Sequence, residues 1–343
     1  MPELPEVQTI VSDLQKILPG LKIGDVQTDW RKMFKNTSFD NFKKEAVGEK
    51  ILNVRRVGKN ILIGLSGDKT IIVHQKMTGH FLYGNWVYEN AAPDTPDGSR
   101  GGRGKWISKN DGPIKNDPQN RFIHLIFDLS NGPPALSKSS GEASKQLALS
   151  DLRKFAKVLL WPTGKLSELE DINNLGPDPT AEDFDFNKFQ KRLYSPPRLS
   201  PRFGEAGGEA SKKAAKGEPR QRRGKIKTVL MDQSVIAGIG NIYSDEILWL
   251  AGINPLKPVS SLTKKELESI FNSTKKILKK AIEARGTSDS DYRDPSGKKG
   301  KYQEMLYVYG LEGEKCQKKD GGTITRLKIS GRSAHFCPVH QKI

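Results

Sequence analysis

The chain begins MPELPEV, setting Pro2 directly behind the initiator methionine and ahead of two acids, Glu3 and Glu6. Taken alone this is a helix start. Proline suits the first turn, where its missing N–H costs nothing, and acidic side chains there complement the helix dipole. A second chemistry-bearing stretch is MDQSVIAGIGNIYSDEILWLAGINP, residues 231–255. Gly238 and Gly240 bracket a tight turn, and Asn241 stands where an N-cap would open the next helix. A glycine-rich turn feeding a helix N-terminus presents backbone N–H groups at a positive dipole end, which makes an anion site. Lys227 lies beside it; the competing reading is a helical hairpin with glycines for close packing. The third candidate is the cysteine pair Cys316 and Cys337, too few for a disulfide framework. In a reducing compartment such a pair more often signals metal than a bridge.

The elements that must carry these residues follow from pattern and composition. The chain has 343 residues, enough for two domains with real cores. Its 57 Lys and Arg against 40 Asp and Glu give a net charge of +17, which favours a polyanion such as nucleic acid. No stretch is apolar enough to span a bilayer, and the N-terminus lacks the zones of a secretory signal. The expectation is a cytoplasmic monomer, nucleoid-associated if bacterial, with no membrane partner. A helix is expected from Pro2 to Ile17, with Val7, Ile10, Val11, Leu14 and Ile17 on one face. Strand-like runs follow in ILNVRRVGKNILIGL, KTIIVHQKM, FIHLIFDLS and QLALSDLRKFAKVLLW. Between Glu89 and Asn120 the composition turns to Gly, Pro, Asn and Asp and reads as a long loop or insertion. Two further biased stretches share the pentapeptide GEASK, at 141–145 and 208–212, and read as mobile surface segments. The second ends in a basic run, Arg220, Arg222, Arg223 and Lys225, able to trail along a phosphate backbone or simply to act as a solvated linker. Residues 227–285 read as helical, with a capping box at Thr263 and Glu266 and a stop at Gly286. The last part alternates as a β-hairpin turning at Gly331.

Six motifs, MPELPEV, HQKMTG, DLRKFA, LGPDP, GIGNIYSDEILWLAGINP and GRSAHFCPVH, stand in the order found in the formamidopyrimidine-DNA glycosylase family, relatives of endonuclease VIII. The chain resembles that family over most of its length, outside roughly 86–120, 133–145 and 195–224. The resemblance implies an α+β fold with three parts. Residues 1–165 would form a two-layer β-sandwich with flanking helices, interrupted by the insertions near 86–120 and 133–145. Residues 170–285 would form a helix–two-turn–helix domain with the insertion near 195–224. Residues 286–343 would supply a lesion-recognition loop, RGTSDSDYRDPSGKKGKY, and a zinc-finger-like hairpin.

The resemblance also answers why a proline follows Met1. After methionine removal Pro2 would carry a secondary amine, and an α-amino group titrates near ~8, so a usable fraction is neutral. Such an amine can attack the anomeric carbon, displace the base and leave a Schiff base. The resemblance gives Glu3 the proton transfers, Glu6 support of the site or of a water, and Lys59 the role of acid for the leaving phosphate. Arg332, in the final hairpin, would clamp phosphates flanking the lesion. The target base must leave the duplex, and Met77, Arg153 and Phe155 would fill the hole. His74, Lys227 and Asn241 would hold phosphates, with Arg121, Arg222 and Tyr243 as further DNA contacts. The implied activity is excision of oxidised purines from double-stranded DNA, followed by β,δ-elimination. Two other readings stay open: a damaged-DNA binding protein without chemistry, and the same chemistry on oxidised pyrimidines. The finger departs from the usual four cysteines, for Cys316 is followed by QKKDGG where a second cysteine is expected. Asp320 takes that place, with Cys337 and His340 beyond. Zinc on Cys316, Asp320, Cys337 and His340 and a zincless hairpin are both possible, because zinc sites mostly use sulfur and nitrogen.

Overall fold

The computed structural model describes residues 2–90, 104–131, 145–194, 224–288 and 291–343. Arg222, the basic run before Gly224 and the GEASK repeats (Lys145 excepted) lie outside them. Two compact units emerge, one of residues 1–169 with 281–304, the other of residues 170–280 with 305–343. Residues 286–304, grouped with the finger in the sequence reading, therefore belong with the N-terminal unit.

The first unit opens with α1, Leu4–Ile17. The helix starts two residues later than the sequence pattern implied. Glu3 is its N-cap and Pro5 takes the position tolerant of a missing N–H, so Pro2 sits in extended backbone ahead of the helix. Val7, Ile10 and Leu14 are fully buried, each stabilising by roughly 1.5–3 kcal/mol relative to exposure. They belong to the core cluster shared by two antiparallel four-stranded sheets. Strands β1 (Lys22–Thr28), β2 (Ile51–Val57), β3 (Asn60–Leu65), β4 (Lys69–His74) and β5 (His80–Gly84) come before the insertion. Strands β8 (Ile123–Ser130), β9 (Lys145–Ser150) and β10 (Lys157–Pro162) come after it. One sheet has the order β1-β8-β9-β5 and the other β10-β4-β3-β2. Alternation puts Ile61, Ile63, Ile71 and Val73 of one sheet and Leu125, Phe127, Leu147 and Leu149 of the other into a single core. This is the expected two-layer sandwich.

The insertion differs from the expected loop. Trp86–Glu89 and Lys105–Ser108 pair as a hairpin, β6–β7, and two 3-10 turns follow at Gly112–Ile114 and Pro118–Phe122. Four-residue strands exposed on one side, set among Gly, Pro and Asn, gave no period long enough to read. Trp86 and Ile114 pack with Leu82, Ile123, Ile126 and Ala148 on the face of the β1-β8-β9-β5 sheet away from the main core. Trp86 Nε1 donates to Asn120 Oδ1 at 3.0 Å, and Asn120 Nδ2 donates to Ile114 O at 2.7 Å.

After α2 (Phe39–Ala46) in the first unit and α3 (Glu170–Asn173) and α4 (Phe186–Tyr194) in the second, a short helix α5 (Ile226–Leu230) leads through a two-turn segment to α6 (Asn241–Ala251), and α7 (Lys264–Glu283) follows. The capping box of α7 forms as the sequence implied, Thr263 N donating to Glu266 Oε2 at 2.9 Å and Glu266 N to Thr263 Oγ1 at 3.3 Å. The LGPDP motif docks on the two-turn segment: Gly176 N donates to Gln233 O at 2.8 Å, and a side chain on Gly176 would meet the Val235 backbone at 2.4 Å. The final hairpin pairs β11 (Thr325–Ile329) with β12 (Arg332–Phe336). Ser330 and Gly331, at φ 47° and 78°, form its two-residue turn, the positive-φ pair that a type I′ turn requires.

Candidate functional site

Pro2 is buried, and Glu3 and Glu6 are each 1 % exposed. Their arrangement is a capping box: Glu3 N donates to Glu6 Oε2 at 2.7 Å. The other oxygen, Glu6 Oε1, accepts Thr287 N at 2.7 Å, and Tyr292 Oη donates to the Glu6 carbonyl at 3.4 Å. Glu6 thus locks the head of α1 to Thr287 and Tyr292. Gly286 has φ 81°, and a Cβ there would lie 2.6 Å from Glu6 Oε1, so no side chain fits between the two. Burial, together with Glu6 and Asp294, pushes the Tyr292 hydroxyl well above its ordinary range, so it stays a donor.

Lys59 occupies the second position of the two-residue β2–β3 turn and is 6 % exposed. Gly58, at φ 59°, supplies the backbone that turn needs. Arg56 fixes the turn to α1, donating through Nε to Gln8 Oε1 at 2.8 Å and through Nη1 to Gly58 O at 3.0 Å. The lysine turn and the Pro2–Glu3 head are therefore held by one rigid helix.

The three residues expected to fill the gap left by an extruded base lie on two loops. Met77 is half-buried in the turn between β4 and β5, after His74 at the end of β4, whose Nδ1 accepts Lys76 N at 3.0 Å. The residues 151–156 connect β9 to β10. Asp151, 1 % exposed, ties the loops together: it accepts Thr78 Oγ1, Arg153 N at 3.3 Å and Ala156 N at 2.7 Å. Arg153 N also donates to Thr78 Oγ1 at 3.0 Å. Phe155 is 50 % exposed with the Arg153 guanidinium 4.6 Å from its ring centre, and Leu152 beside it is 44 % exposed. Large apolar side chains held out on a rigid loop have no packing purpose, which suits insertion between bases. Arg121 is exposed and stacks over Phe122 at 4.6 Å.

In the second unit the structure corrects two expectations. Lys227 is 1 % exposed, and its ammonium donates to Asp245 Oδ1 at 2.5 Å and to Ser333 O at 2.7 Å. It braces the fold and does not present a cation to a phosphate. Tyr243 is fully buried in α6 and belongs to the core, not to a DNA-facing surface. Asn241 stands at the first position of α6, where only its Nδ2 could donate to a phosphate; its buried Oδ1, an acceptor, has no partner among the described residues. Gly238 N, by contrast, is used by Gln233 Oε1 at 2.8 Å. Arg332 is exposed and is the first residue of β12, just past the turn. Its strand is stapled from behind by the Lys227–Ser333 bond and by Asp245 Oδ2, which accepts His335 N at 3.0 Å and lies 3.1 Å from His335 Nδ1. Neighbouring Glu246, fully buried, accepts the N–H groups of Tyr307, Val308 and Tyr309 at 2.9, 3.0 and 3.0 Å. Its carboxyl is pushed up to about 7 by burial and by Asp245, against the pull of those three donors.

Cys316, Asp320, Cys337 and His340 turn their ligand atoms to within 4.8 Å of one another. Cys316 Sγ lies 3.6 Å from His340 Nδ1, and Cys337 Sγ 3.4 Å from Asp320 Oδ2. Bond lengths of ~2.0–2.3 Å to zinc imply ligand edges of roughly 3.3–3.8 Å in a tetrahedron, so these separations fit. The His340 Nδ1–Asp320 Oδ2 distance, 2.7 Å, is shorter and must open for an ion to enter. His340 Nε2 faces Trp249 O at 3.2 Å. Both ring nitrogens thus meet acceptors, and a neutral ring can donate to only one. A cation at Nδ1, with Nε2–H held by the carbonyl, satisfies both in the way metal-ligating histidines are usually oriented.

The sequence matches the model of the formamidopyrimidine-DNA glycosylase N-terminal domain over residues 1–158 and that of the formamidopyrimidine-DNA glycosylase H2TH domain over residues 207–292. The formamidopyrimidine-DNA glycosylase of Pelotomaculum thermopropionicum is 35 % identical, with the whole of both chains covered. The chain belongs to the formamidopyrimidine-DNA glycosylase family. A solved member, the Lactococcus lactis enzyme in complex with DNA containing an abasic site, aligns at TM-score 0.73 and 30 % identity, covering 99 % of this chain and 100 % of that one. A mutant of the same enzyme in complex with Fapy-dG-containing DNA gives TM-score 0.73 at 30 % identity over the whole of both chains.

Within this glycosylase-family framework the structure brings Pro2, Glu3, Glu6 and the Lys59 turn onto one helix and its neighbouring hairpin, and joins the Met77 and Arg153–Phe155 loops through Asp151. The sequence reading missed Asp151, Asp245, Glu246 and His335. The signal for two of them was present: Asp245 and Glu246 interrupt the apolar run of α6, and charges in such a run are buried only when partnered.

Proposed function

We propose that this protein removes oxidised purines, 8-oxoguanine and ring-opened formamidopyrimidines, from double-stranded DNA and then cuts the strand at the emptied sugar. The observation that carries the reading is the Pro2–Glu3 pair at the head of a rigid, buried, capped helix. With Met1 removed, the Pro2 nitrogen attacks C1′, and the glycosidic electron pair leaves with the base, which takes a proton. Glu3 delivers a proton to the ring oxygen as the sugar opens, leaving an iminium on Pro2. Loss of the C2′ proton then expels the 3′ phosphate, and a second elimination expels the 5′ phosphate. Lys59 serves as acid for the departing phosphate and Arg332 neutralises the flanking charge. Glu6, with both oxygens engaged by backbone N–H groups, orients the head of α1 and leaves proton transfer to Glu3.

Met77, Arg153 and Phe155 occupy the gap left by the extruded base, the guanidinium facing the orphaned partner base. His74, Asn241 and Arg121 contact the phosphate backbone. A structural zinc ion on Cys316, Asp320, Cys337 and His340 would tie the chain ends of the finger together and so support Arg332. The enzyme acts as a cytoplasmic monomer; among the described residues no helix is long and apolar enough to cross a membrane. The test is incision of end-labelled duplexes carrying 8-oxoguanine opposite cytosine, or an oxidised pyrimidine. Faster cutting of the first, with phosphate at both ends of the gap, agrees with the proposal. Faster cutting of the pyrimidine duplex transfers the substrate class, and binding without incision supports a damage-binding protein instead.

A further inference from the structure

The insertion between β5 and β8 covers one face of the β1-β8-β9-β5 sheet, and it also reaches residues 291–299, part of the segment that resembles the family's lesion-recognition loop. Asp117, at the N-cap of the 3-10 turn Pro118–Phe122, accepts Arg293 Nε at 3.1 Å, with only 5 % and 11 % of the two side chains exposed. Gln119, two residues on, donates through Nε2 to Asp291 Oδ1 at 3.2 Å. Ile114 meets Gly297 so closely that a Cβ on the glycine, at φ 80°, would lie 2.6 Å from Ile114 Cγ1. These contacts add side-chain ties to the one backbone bond by which the sheet itself holds the segment, Tyr83 N of β5 donating to Pro295 O at 2.7 Å.

The opposite side of the same segment is held independently. Asp294 closes the turn by accepting Ser296 N and Lys298 N, each at 2.9 Å, and takes Arg285 Nη2 at 2.5 Å, while Arg285 also binds Asp13 of α1. Tyr292, next to Arg293, reaches the Glu6 carbonyl. A continuous path of bonded groups therefore runs from the insertion through Arg293 and Tyr292 to the head of α1, where Pro2 and Glu3 sit. A nearly buried ion pair is a costly device for mere surface coverage. Its desolvation is offset only when the two charges stay in one geometry, and that makes it a positional constraint.

We infer that Asp117 and Arg293, assisted by Gln119 and Ile114, are positioning residues that set residues 291–299 against the extruded base, so that the insertion governs base excision and not strand cleavage at a site already lacking a base. The inference rests on the proposed glycosylase function. Asp117→Asn tests it well, since the substituted side chain can still accept Gln119 N, the bond that Asp117 Oδ1 makes at 2.9 Å. Displacement of a positioning contact by about an ångström costs on the order of 10- to 100-fold in rate.

The experiment compares wild type, Asp117→Asn and Asp117→Glu on an 8-oxoguanine duplex and on a duplex with a preformed abasic site. Alongside, hydrogen–deuterium exchange is read at residues 291–299 of the free protein, with melting temperature as the control for folding. The expected result is single-turnover excision slowed at least tenfold in Asp117→Asn, abasic-site cutting unchanged, faster exchange at 291–299, and recovery of excision in Asp117→Glu. Equal losses on both substrates, no loss on either, or unchanged exchange overturns the inference. If the wild type excises no base, the functional reading fails by itself, and the exchange data still decide whether Asp117 positions the segment.

Discussion

Replacing Lys227 by methionine separates two accounts of this residue. A lysine beside a glycine-rich turn in a protein of net charge +17 reads as a phosphate ligand, whereas the structure buries it between Asp245 and the Ser333 carbonyl. Methionine matches the stem and removes the charge, leaving Asp245 buried with His335 as its remaining partner and Ser333 O without its donor. Breaking a buried pair from one side costs about 3–5 kcal/mol. The His335 bonds that persist on Asp245 favour the lower end, near ~3 kcal/mol. At about 2–4 °C per kcal/mol for a domain of this size, the melting transition falls by roughly 6–12 °C. The assay is differential scanning calorimetry paired with DNA affinity measured across a salt series. A direct phosphate contact would instead leave the melting point in place and reduce the slope of log affinity against log salt by about 0.9. That second pattern would refute the reasoning.

Phe155→Ala, on a loop whose side chain is half exposed, should leave the unfolding free energy within about 0.5 kcal/mol of wild type, yet slow excision from duplex DNA; stopped-flow fluorescence of a base analogue opposite the lesion checks the extrusion step. Glu246→Gln places an amide against a backbone N–H that now donates to a carboxylate, for a loss of about 1–3 kcal/mol by chemical denaturation. His80, fully buried, has its pKa lowered below the ordinary 6.5 by burial. The unfolded chain therefore binds the proton that the folded chain refuses. The stability linked to His80 is fully present above about pH 6.5 and declines below it, and urea melts of His80→Asn should show a shallower acid slope. Purified protein should carry one zinc by elemental analysis, and a strong chelator should lower the melting temperature of the wild type but not of Cys337→Ser.

Much of this architecture was legible in the residues because several local signals agreed. Apolar runs rich in β-branched residues, NILIGL and KTIIVH among them, marked strands, Thr263 with Glu266 marked a helix start, and Gly331 marked a hairpin turn; all three appear in the structure. The insertion was not legible, for its ordering comes from Trp86 and Ile114 packing on a distant sheet face and not from local periodicity. The start of α1 was misplaced because Pro2 and Pro5 both suit a first turn, and only the Glu3–Glu6 box decides between them. Residue type alone singled out the cysteines, and the structure gathers Cys316 and Cys337 with Asp320 and His340. The site was misread at Lys227 and Tyr243, where charge and aromaticity suggest a surface but a buried acid and a helix interior claim them. Asp117 and Arg293 lie 176 residues apart in sequence, and no spacing rule could pair them.

The chemistry proposed here requires a covalent bond between a sugar carbon and the nitrogen of Pro2. Borohydride reduction during turnover of an 8-oxoguanine duplex, followed by digestion and mass mapping of the adduct, tests it most directly. The account predicts a reduced sugar remnant on a peptide that begins at Pro2, lost when Met1 is retained. A remnant on Lys59 or any other lysine, or no adduct while bases are still released, would contradict it.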